Sequence, residues 1–484
     1  MAPRSKPEPI QQKTRNAETK LDVLIIGAGL GGLGAAISIL LQGHNVHIFE
    51  AASEIGEVGA GIQCLPNSTR ILMSWGLEEK LGRHATHPKQ CNYLGWKGNK
   101  LAHMDFHAYS DQLGTPFWDF HRASLHGELL ARAKELGAEI TTNARVMDIE
   151  YEDAGNGTTH AIAVLGDGRR RSADLVVGAD GINSRCREIL LGKSDPPLLT
   201  GDLAYRLLLN TSDMLADPEL RPFIDSPQVN YWMGPDAHAV NYVLRGGKLF
   251  NMVLLVPDDL PAGANTLAGN VDEMRALYQH WDPRIPKLLA LCESVTKWRL
   301  CIRPGLDPTW SHPSSAFTIL GDAAHATLPY LASGAGMSLE DGHVLGLCLG
   351  RLTGTTDADK KLALAVYERC RRRRTERVVA RGTTQQHLYH VHDGPEQQER
   401  DDLLRKYSAL GNQPATTEEL GLKGLKEEGD PFPWRWEGCG KWLLTYVCED
   451  DVEARWGEVR SKISDDQSSF SSSSTQDIEI RSVL

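Results

Sequence analysis

The folded part of the chain opens with a change of hydrophobic period. Residues 22–26 (DVLII) are an unbroken apolar run, the pattern of a strand buried on both faces of a parallel sheet. Four glycines fall within residues 27–32, and from 33 to 42 the apolar positions recur at helical spacing. Gly43, His44 and Asn45 stop that helix, and residues 46–49 form a second apolar run with Glu50 at its end. This predicts one βαβ unit. Residues 23–41 carry no charge and are long enough to suggest a membrane span. Gly27, Gly29, Gly31, Gly32 and Gly34 interrupt them at the change of period, so strand, tight turn and helix are expected instead, and no membrane span.

Further along, a helical pattern at 122–136 leads through Gly137 into short strand patterns at 138–141 and 161–165. Residues 175–177 form another buried strand running into Gly178, Ala179, Asp180 and Gly181. From about 200 to 305 the texture alternates, as at 230–232, 239–243 and 250–255, which predicts an antiparallel sheet with one exposed face. Apolar runs and helices return at 316–320, before Gly321 and Asp322, and at about 338–352. The expected division is a flexible tail at 1–20, a first domain at 21–195 interrupted by a sheet domain at 196–305, its second part at 306–400, and an extension at 401–484. Within the extension, 431–436 (PFPWRW) and 442–444 are apolar enough to dock, and the serine-rich run 468–474 reads as a disordered tail.

Composition narrows the classes. The 484 residues are 41% hydrophobic and 24% charged, ordinary for a globular protein, which excludes wholesale disorder and fibrous classes. With 52 Lys and Arg against 63 Asp and Glu the net charge is −11, which repels phosphate backbones and argues against a nucleic-acid partner. Nine scattered cysteines without a CxxC pair give neither a disulfide framework nor a zinc site, and no metal is expected. The polar first twenty residues lack the apolar core of a secretory leader, and with reduced thiols they point to a cytoplasmic protein.

The chemistry begins at Gly27-x-Gly29-x-x-Gly32. Placed between a strand and a helix, these glycines make a tight turn and leave bare backbone where a diphosphate can approach a helix N-terminus. Glu50, at the end of the second strand, stands at the spacing of the acid that accepts hydrogen bonds from a ribose. An acid there disfavours a 2′-phosphate, so this cleft suits the adenosine of FAD or NAD. Two further glycine–aspartate elements end strands downstream, at Asp180 and at Asp322, and a cofactor longer than its adenylate half needs them. They favour FAD.

These residues resemble a known family. GAGLGG (27–32) with Glu50, GADGINSRCR (178–187) and LGDAAHATLPYLASGAG (320–336) are similar to the three signatures of single-component FAD-dependent aromatic hydroxylases. Arg122, in DFHRASLHGELL, matches an arginine these proteins place near the flavin. Gly59, Gly61 and Gln63, the pair Tyr205–Arg206, and Gly234, His238 and Tyr242 resemble the salicylate-hydroxylase-like branch found among fungal polyketide-tailoring enzymes. The resemblance covers about residues 21–395. It implies an α/β fold, a Rossmann-like FAD/NAD(P)-binding domain interrupted by an antiparallel β-sheet substrate domain, with a C-terminal helical extension.

It also implies a reaction: NAD(P)H reduces FAD, the reduced flavin and O2 form a C4a-hydroperoxide, and oxygen passes to an electron-rich ring. The expected function is hydroxylation of a small phenolic or aromatic carboxylic acid in fungal secondary metabolism, decarboxylative as in salicylate hydroxylases or dearomatising as on a fungal polyketide phenol. By the resemblance Asp322 bonds the ribityl or diphosphate region, and Gly334, Ala335 and Gly336 flank the ring. Asp180 serves FAD and NAD(P)H, and Gly61, Gln63 and Arg122 join the cofactor contacts. Relatives often carry Gln where this chain has Ser333.

Arg206 is the candidate for holding a carboxylate or phenolate, because its fork pairs both oxygens of an anion. A structural ion pair is the alternative. His238 and Tyr242 share one face of a strand with Val240, and either is placed to relay a proton from a substrate hydroxyl or merely to pack. His325 is expected to pack near the phosphates, and His387, His390 and His392 lack a fourth metal ligand. Arg369 and residues 371–374 read as a solvated helix face or a landing site for the NADPH phosphate. The expected partners are a small aromatic substrate and O2, with a homodimer left open. The rival functions are an epoxidase of the same flavoprotein class, and a non-catalytic escort-like protein on the same scaffold.

Overall fold

The computed structural model describes residues 3–56, 60–410, 430–435 and 438–471. Five parallel strands form the first sheet, in the order Phe317–Ile319, Leu175–Gly178, Asp22–Ile26, Asn45–Phe49, Glu139–Thr141. Strand Asp22–Ile26 is central, and four of its five residues are buried, as the unbroken apolar run requires. Helix Leu30–Leu41 follows it and crosses helix Gly334–Leu349 closely. A Cβ on Gly342 would lie 2.4 Å from the Ala35 nitrogen, so glycine at that crossing lets the two backbones touch.

The second sheet has eight strands in the order Thr266–Gly269, Val295–Ile302, Leu198–Asn210, Leu249–Pro257, Ala237–Leu244, Val229–Gly234, Gln90–Gly95, Lys100–Asp105. Its last two strands come from inside the stretch assigned to the first domain, and Gln90–Gly95 joins through a parallel pairing with Val229–Gly234. The expected exposed face is also absent. Every residue of Val229–Gly234 is buried, and all but one of Ala237–Leu244. Helices Val271–Tyr278 and Arg284–Ala290 cover one face, packing Met274, Tyr278, Ile285 and Leu288 against Trp232, Met252 and Leu254. The other face packs Tyr231, Tyr242 and Leu255 against Leu328, Tyr330, Val378 and Trp434. Alternation here separates two cores, and a period of two looks the same in both cases.

The described residues near both ends are more tightly held than the sequence suggests. Residues 3–20 were expected to be a flexible tail, but they are tied along the first domain. Lys13 N donates to Leu41 O at 2.9 Å, and the Arg15 guanidinium donates to Leu352 O at 2.9 Å and to Gly350 O, capping carbonyls past the end of helix Gly334–Leu349. In the extension Phe432, Trp434, Leu443 and Leu444 are buried, and Trp434 Nε1 donates to Leu331 O at 3.1 Å. Helix Cys448–Ser471 includes the start of the serine-rich run; 472–484 lie outside the described residues. Among the described residues no helix is long and apolar enough to cross a membrane.

Candidate active site

Three strands of the parallel sheet end at one edge, and their loops converge there. Asp22–Ile26 gives way to Gly27–Gly32, Leu175–Gly178 to Ala179, Asp180 and Gly181, and Phe317–Ile319 to Leu320, Gly321 and Asp322. These loops wall one side of a cavity of about 310 Å³, and the inner face of the eight-stranded sheet, with Arg206, His238 and Tyr242, walls the other.

The three fingerprint glycines do different work. Gly27 has φ +109° and a Cβ there would lie 2.4 Å from Ala179 O, while a Cβ on Gly32 would lie 2.0 Å from Gly27 O. Both are fixed by close packing. Gly29 has nothing within 4 Å of a Cβ position and lines the cavity. It caps helix Leu30–Leu41 without a side-chain hydrogen bond, so the first-turn N–H groups remain available. Helix Gly334–Leu349 likewise begins on the cavity wall, at Ser333, Gly334 and Ala335, with no side-chain cap. The Ser333 hydroxyl donates to Leu331 O at 2.9 Å instead. Two helix N-termini therefore face one cavity, an arrangement that favours anionic and electron-rich groups. A dinucleotide with a diphosphate fits this cradle.

The remaining expected cofactor residues divide into wall and support. Asp322 and Arg122 are on the wall. Enclosure pushes the Asp322 carboxyl up from its ordinary value, with His325 and Arg122 pulling the other way. Glu50 sits beneath the fingerprint turn. Its Oε2 accepts from Ala28 N and its Oε1 from Ala52 N, both at 2.8 Å, and each oxygen keeps a further lone pair. Asp180 turns into its own loop, accepting from Ser184 Oγ at 2.5 Å and Cys186 N at 3.0 Å, and only its neighbours Ala179 and Gly181 reach the wall. Gly59 lies outside the described residues. Gly61 donates its N–H to Asn251 Oδ1 at 2.7 Å, and a Cβ there would lie 2.4 Å from the Tyr242 ring. Gln63 lines the cavity and donates from Nε2 to Asp119 Oδ1 at 2.9 Å. Burial of Asp119, only partly offset by that donor, pushes its carboxyl up to about 8.

On the sheet side, Arg206 is enclosed by protein and has neither an ion pair nor a hydrogen bond among the described residues. It lies 4.9 Å from the centroid of the Trp298 ring. Burial and the charge of Arg122 lower its pKa, against the pull of Tyr242. Burial raises the Tyr242 phenol well above its ordinary range, and with it the charge of Asp119. His238 is fully buried, which together with His390 holds it neutral. Val240, Val253 and Leu255 complete an apolar wall.

Two readings of the sequence change here. The arginines at 371 and 374 do not face solvent: Arg371 pairs with Glu340 at 2.7 Å and Asp341 at 2.7 Å, all three fully buried, and Arg374 pairs with Glu340 at 2.8 Å. Spent inward, these two offer no landing site for a phosphate, whereas Arg369 and Arg373 are exposed, as on a solvated helix face. Asp341 in turn accepts from Gly321 N at 2.9 Å and contacts His325 Nε2 at 2.5 Å, bracing the Asp322 loop from behind. Sequence reasoning missed Asn251, Asp119, Tyr330 and Asp202. Only Asp202 left a signal, four positions before Arg206 on one strand face.

The chain belongs to the FAD-dependent aromatic monooxygenases. The family model described as "FAD binding domain" matches residues 20–283. "FAD-dependent monooxygenase OpS4" of Beauveria bassiana is 42% identical over 79% of this chain and 89% of its own length. "3-hydroxybenzoate 6-hydroxylase" of Polaromonas naphthalenivorans is 32% identical over 80% of this chain and 92% of its own. Among solved structures, a "Salicylate hydroxylase substrate complex" superposes with a TM-score of 0.69 at 22% identity, covering 90% of this chain and 98% of that one, a likeness of fold. The protein is therefore a flavoprotein enzyme that uses FAD and NAD(P)H.

Proposed function

We propose that the substrate is a small phenolic or aromatic carboxylic acid held by its negative charge on Arg206. The lack of a partner for that guanidinium carries the reading. Arg299 and Arg303 on the neighbouring strand and loop each pair with an acid, whereas Arg206 stands on the cavity wall with none among the described residues. An enclosed cation without a counter-ion is costly, and an anionic ligand relieves that cost with two charge-assisted hydrogen bonds. The likeness to 3-hydroxybenzoate 6-hydroxylase supports the same class, since that named substrate carries a hydroxyl and a carboxylate on one ring.

In this reading Gly29 makes room for the FAD diphosphate in a turn whose close packing Gly27 and Gly32 permit, Glu50 serves the adenosine ribose, and Asp322 and Arg122 hold the ribityl and diphosphate region. Gly61, Gln63 and Ala335 flank the ring, and Asp180 shapes the loop beside it. Bound FAD, reduced by NAD(P)H, supplies the oxygen chemistry with O2. The chain supplies the rest. Arg206 favours the ionised form of a nearby hydroxyl. Tyr242, kept un-ionised by burial, orients that oxygen through its O–H, and neutral His238 is positioned to accept its proton. The apolar wall keeps water from the reacting ring. We place the step in fungal secondary metabolism, and both simple and decarboxylative hydroxylation use the same anchor.

The test is a panel of hydroxybenzoates and polyketide phenols scored for stimulated NAD(P)H oxidation, with product masses. Arg206→Gln should lower kcat/KM for an acidic ring by about 10²–10³, the loss typical of breaking a buried charge pair, with flavin content intact. Equal loss of flavin would remove Arg206 from substrate binding. Stimulation by uncharged alkenes alone would favour an epoxidase.

A further inference from the structure

Four elements bring polar groups together behind the cavity wall. His238, on strand Ala237–Leu244, lines the cavity, and its Nδ1 lies 2.7 Å from Nε2 of His390, just past helix Asp357–Tyr389. His390 Nδ1 faces Asp202 Oδ2 at 3.6 Å, on the same strand as Arg206. Tyr330, whose ring also lines the cavity, donates its O–H to that oxygen at 2.5 Å.

The arrangement favours one placement of the imidazole protons. A carboxylate facing His390 Nδ1 favours a proton on that nitrogen, even at ion-pair rather than hydrogen-bond distance. A neutral His390 protonated at Nδ1 has a bare Nε2, so the 2.7 Å contact requires His238 to donate from Nδ1. The single proton of His238 is then spent, and its Nε2 is a lone pair. That Nε2 is buried and has no hydrogen-bond partner. Burial keeps both rings neutral, holding His390 at about 4 and His238 well below its ordinary value.

We infer that Asp202 and His390 are positioning residues that lock His238 into the tautomer with Nε2 bare, making it the acceptor for the substrate's hydroxyl proton. The acceptor role rests on the phenolic substrate proposed above; the tautomer lock does not. In the step, the substrate O–H bond breaks and an Nε2–H bond forms, leaving a phenolate beside Arg206 and an imidazolium at His238. The Nδ1 proton then shifts to His390 Nε2, so the positive charge comes to rest facing Asp202. No electrons are exchanged, and the reverse shift returns the proton when the product oxygen takes it back.

The experiment uses holoenzyme with ¹⁵N-labelled histidine. Two-bond ¹H–¹⁵N correlation spectra read each tautomer, and His238→Gln and His390→Gln assign the signals. We expect His238 to be protonated at Nδ1 with Nε2 bare. Asp202→Asn, whose amide can donate to His390, should reverse both rings, and Asp202→Glu should not. An Nε2–H on His238 in the parent enzyme, or no change in Asp202→Asn, overturns the lock. Turnover of 3-hydroxybenzoate and its ring-fluorinated analogues tests the acceptor role. Asp202→Asn should lose about 10–100-fold on the parent phenol and recover as the phenol becomes more acidic, with flavin content unchanged. A uniform loss across the series overturns the acceptor role. Tautomer reversal with no turnover of any phenol supports the lock and overturns the phenolic reading instead.

Discussion

Arg206 and Asp119 show how much a single side chain of this site is defined by what surrounds it. The sequence offered Arg206, His238 and Tyr242 as candidates because residue type and strand spacing sufficed to group them. It could not show that Arg206 lacks an acid partner, since that depends on which strands flank Leu198–Asn210. Asp119 was invisible for the same reason: an aspartate in the short strand before a helix reads as ordinary until its burial beneath Gln63 is known. Its consequence is testable. The folded-state value of about 8 lies above the ordinary 3.8. Between the two the folded chain keeps a proton that the unfolded chain releases, so stability falls as pH rises through that window. Asp119→Asn should remove this slope and raise stability at pH 7, by on the order of 4 kcal/mol at most, read by denaturation at several pH values. A parallel pH dependence in both proteins would contradict the assignment.

Elements were legible where a period was unique to one environment. The unbroken apolar run was placed to the residue, and the helix after the glycine turn to within three residues at its start and one at its end. The eight-stranded sheet was legible as strands but not as a layer, because alternation cannot tell solvent from a second core. Nor could it show that Gln90–Gly95 crosses over to join it. The fingerprint turn makes its own prediction, since its glycines differ in the space around them. Gly32→Ala places a methyl against Gly27 O and should prevent proper folding. Gly29→Ala meets nothing, so the chain should fold as before, with the methyl standing where the diphosphate approaches. FAD affinity should then drop at least about tenfold, roughly 1.4 kcal/mol, with circular dichroism unchanged. Equal FAD affinity would place the diphosphate elsewhere.

At the scale of the molecule, the buried charges tie the C-terminal extension to the cofactor loop. Arg374 donates to the carbonyls of Trp442 and Leu443, and Glu449 meets His343 Nε2 at 3.0 Å. The sequence showed that 431–436 and 442–444 could dock but not where, because their contacts are with distant helices. Burial alone would raise Asp341, but His325 and Arg371 bring it down to about 2, and the hydrogen bond and charge of His343 do the same for Glu449 against its burial. Both folded values lie below the ordinary ones, so this stability is complete above pH 4.5 and is lost as pH falls toward 2. For Asp341 it amounts to about 2 kcal/mol. Acid unfolding should therefore steepen below pH 4, and Arg371→Met should destabilise the protein by about 3–5 kcal/mol by taking one cation from two buried acids that Arg374 and His325 then balance alone, as chemical denaturation would show. An unchanged midpoint would contradict that role.

The most direct check is the visible spectrum of the FAD-bound protein titrated with hydroxybenzoates, in the parent and in Arg206→Gln. At least one aromatic acid should perturb the flavin bands saturably, and binding should weaken about a hundredfold or more in the variant while its flavin stays bound. Identical titrations in the two proteins would contradict it.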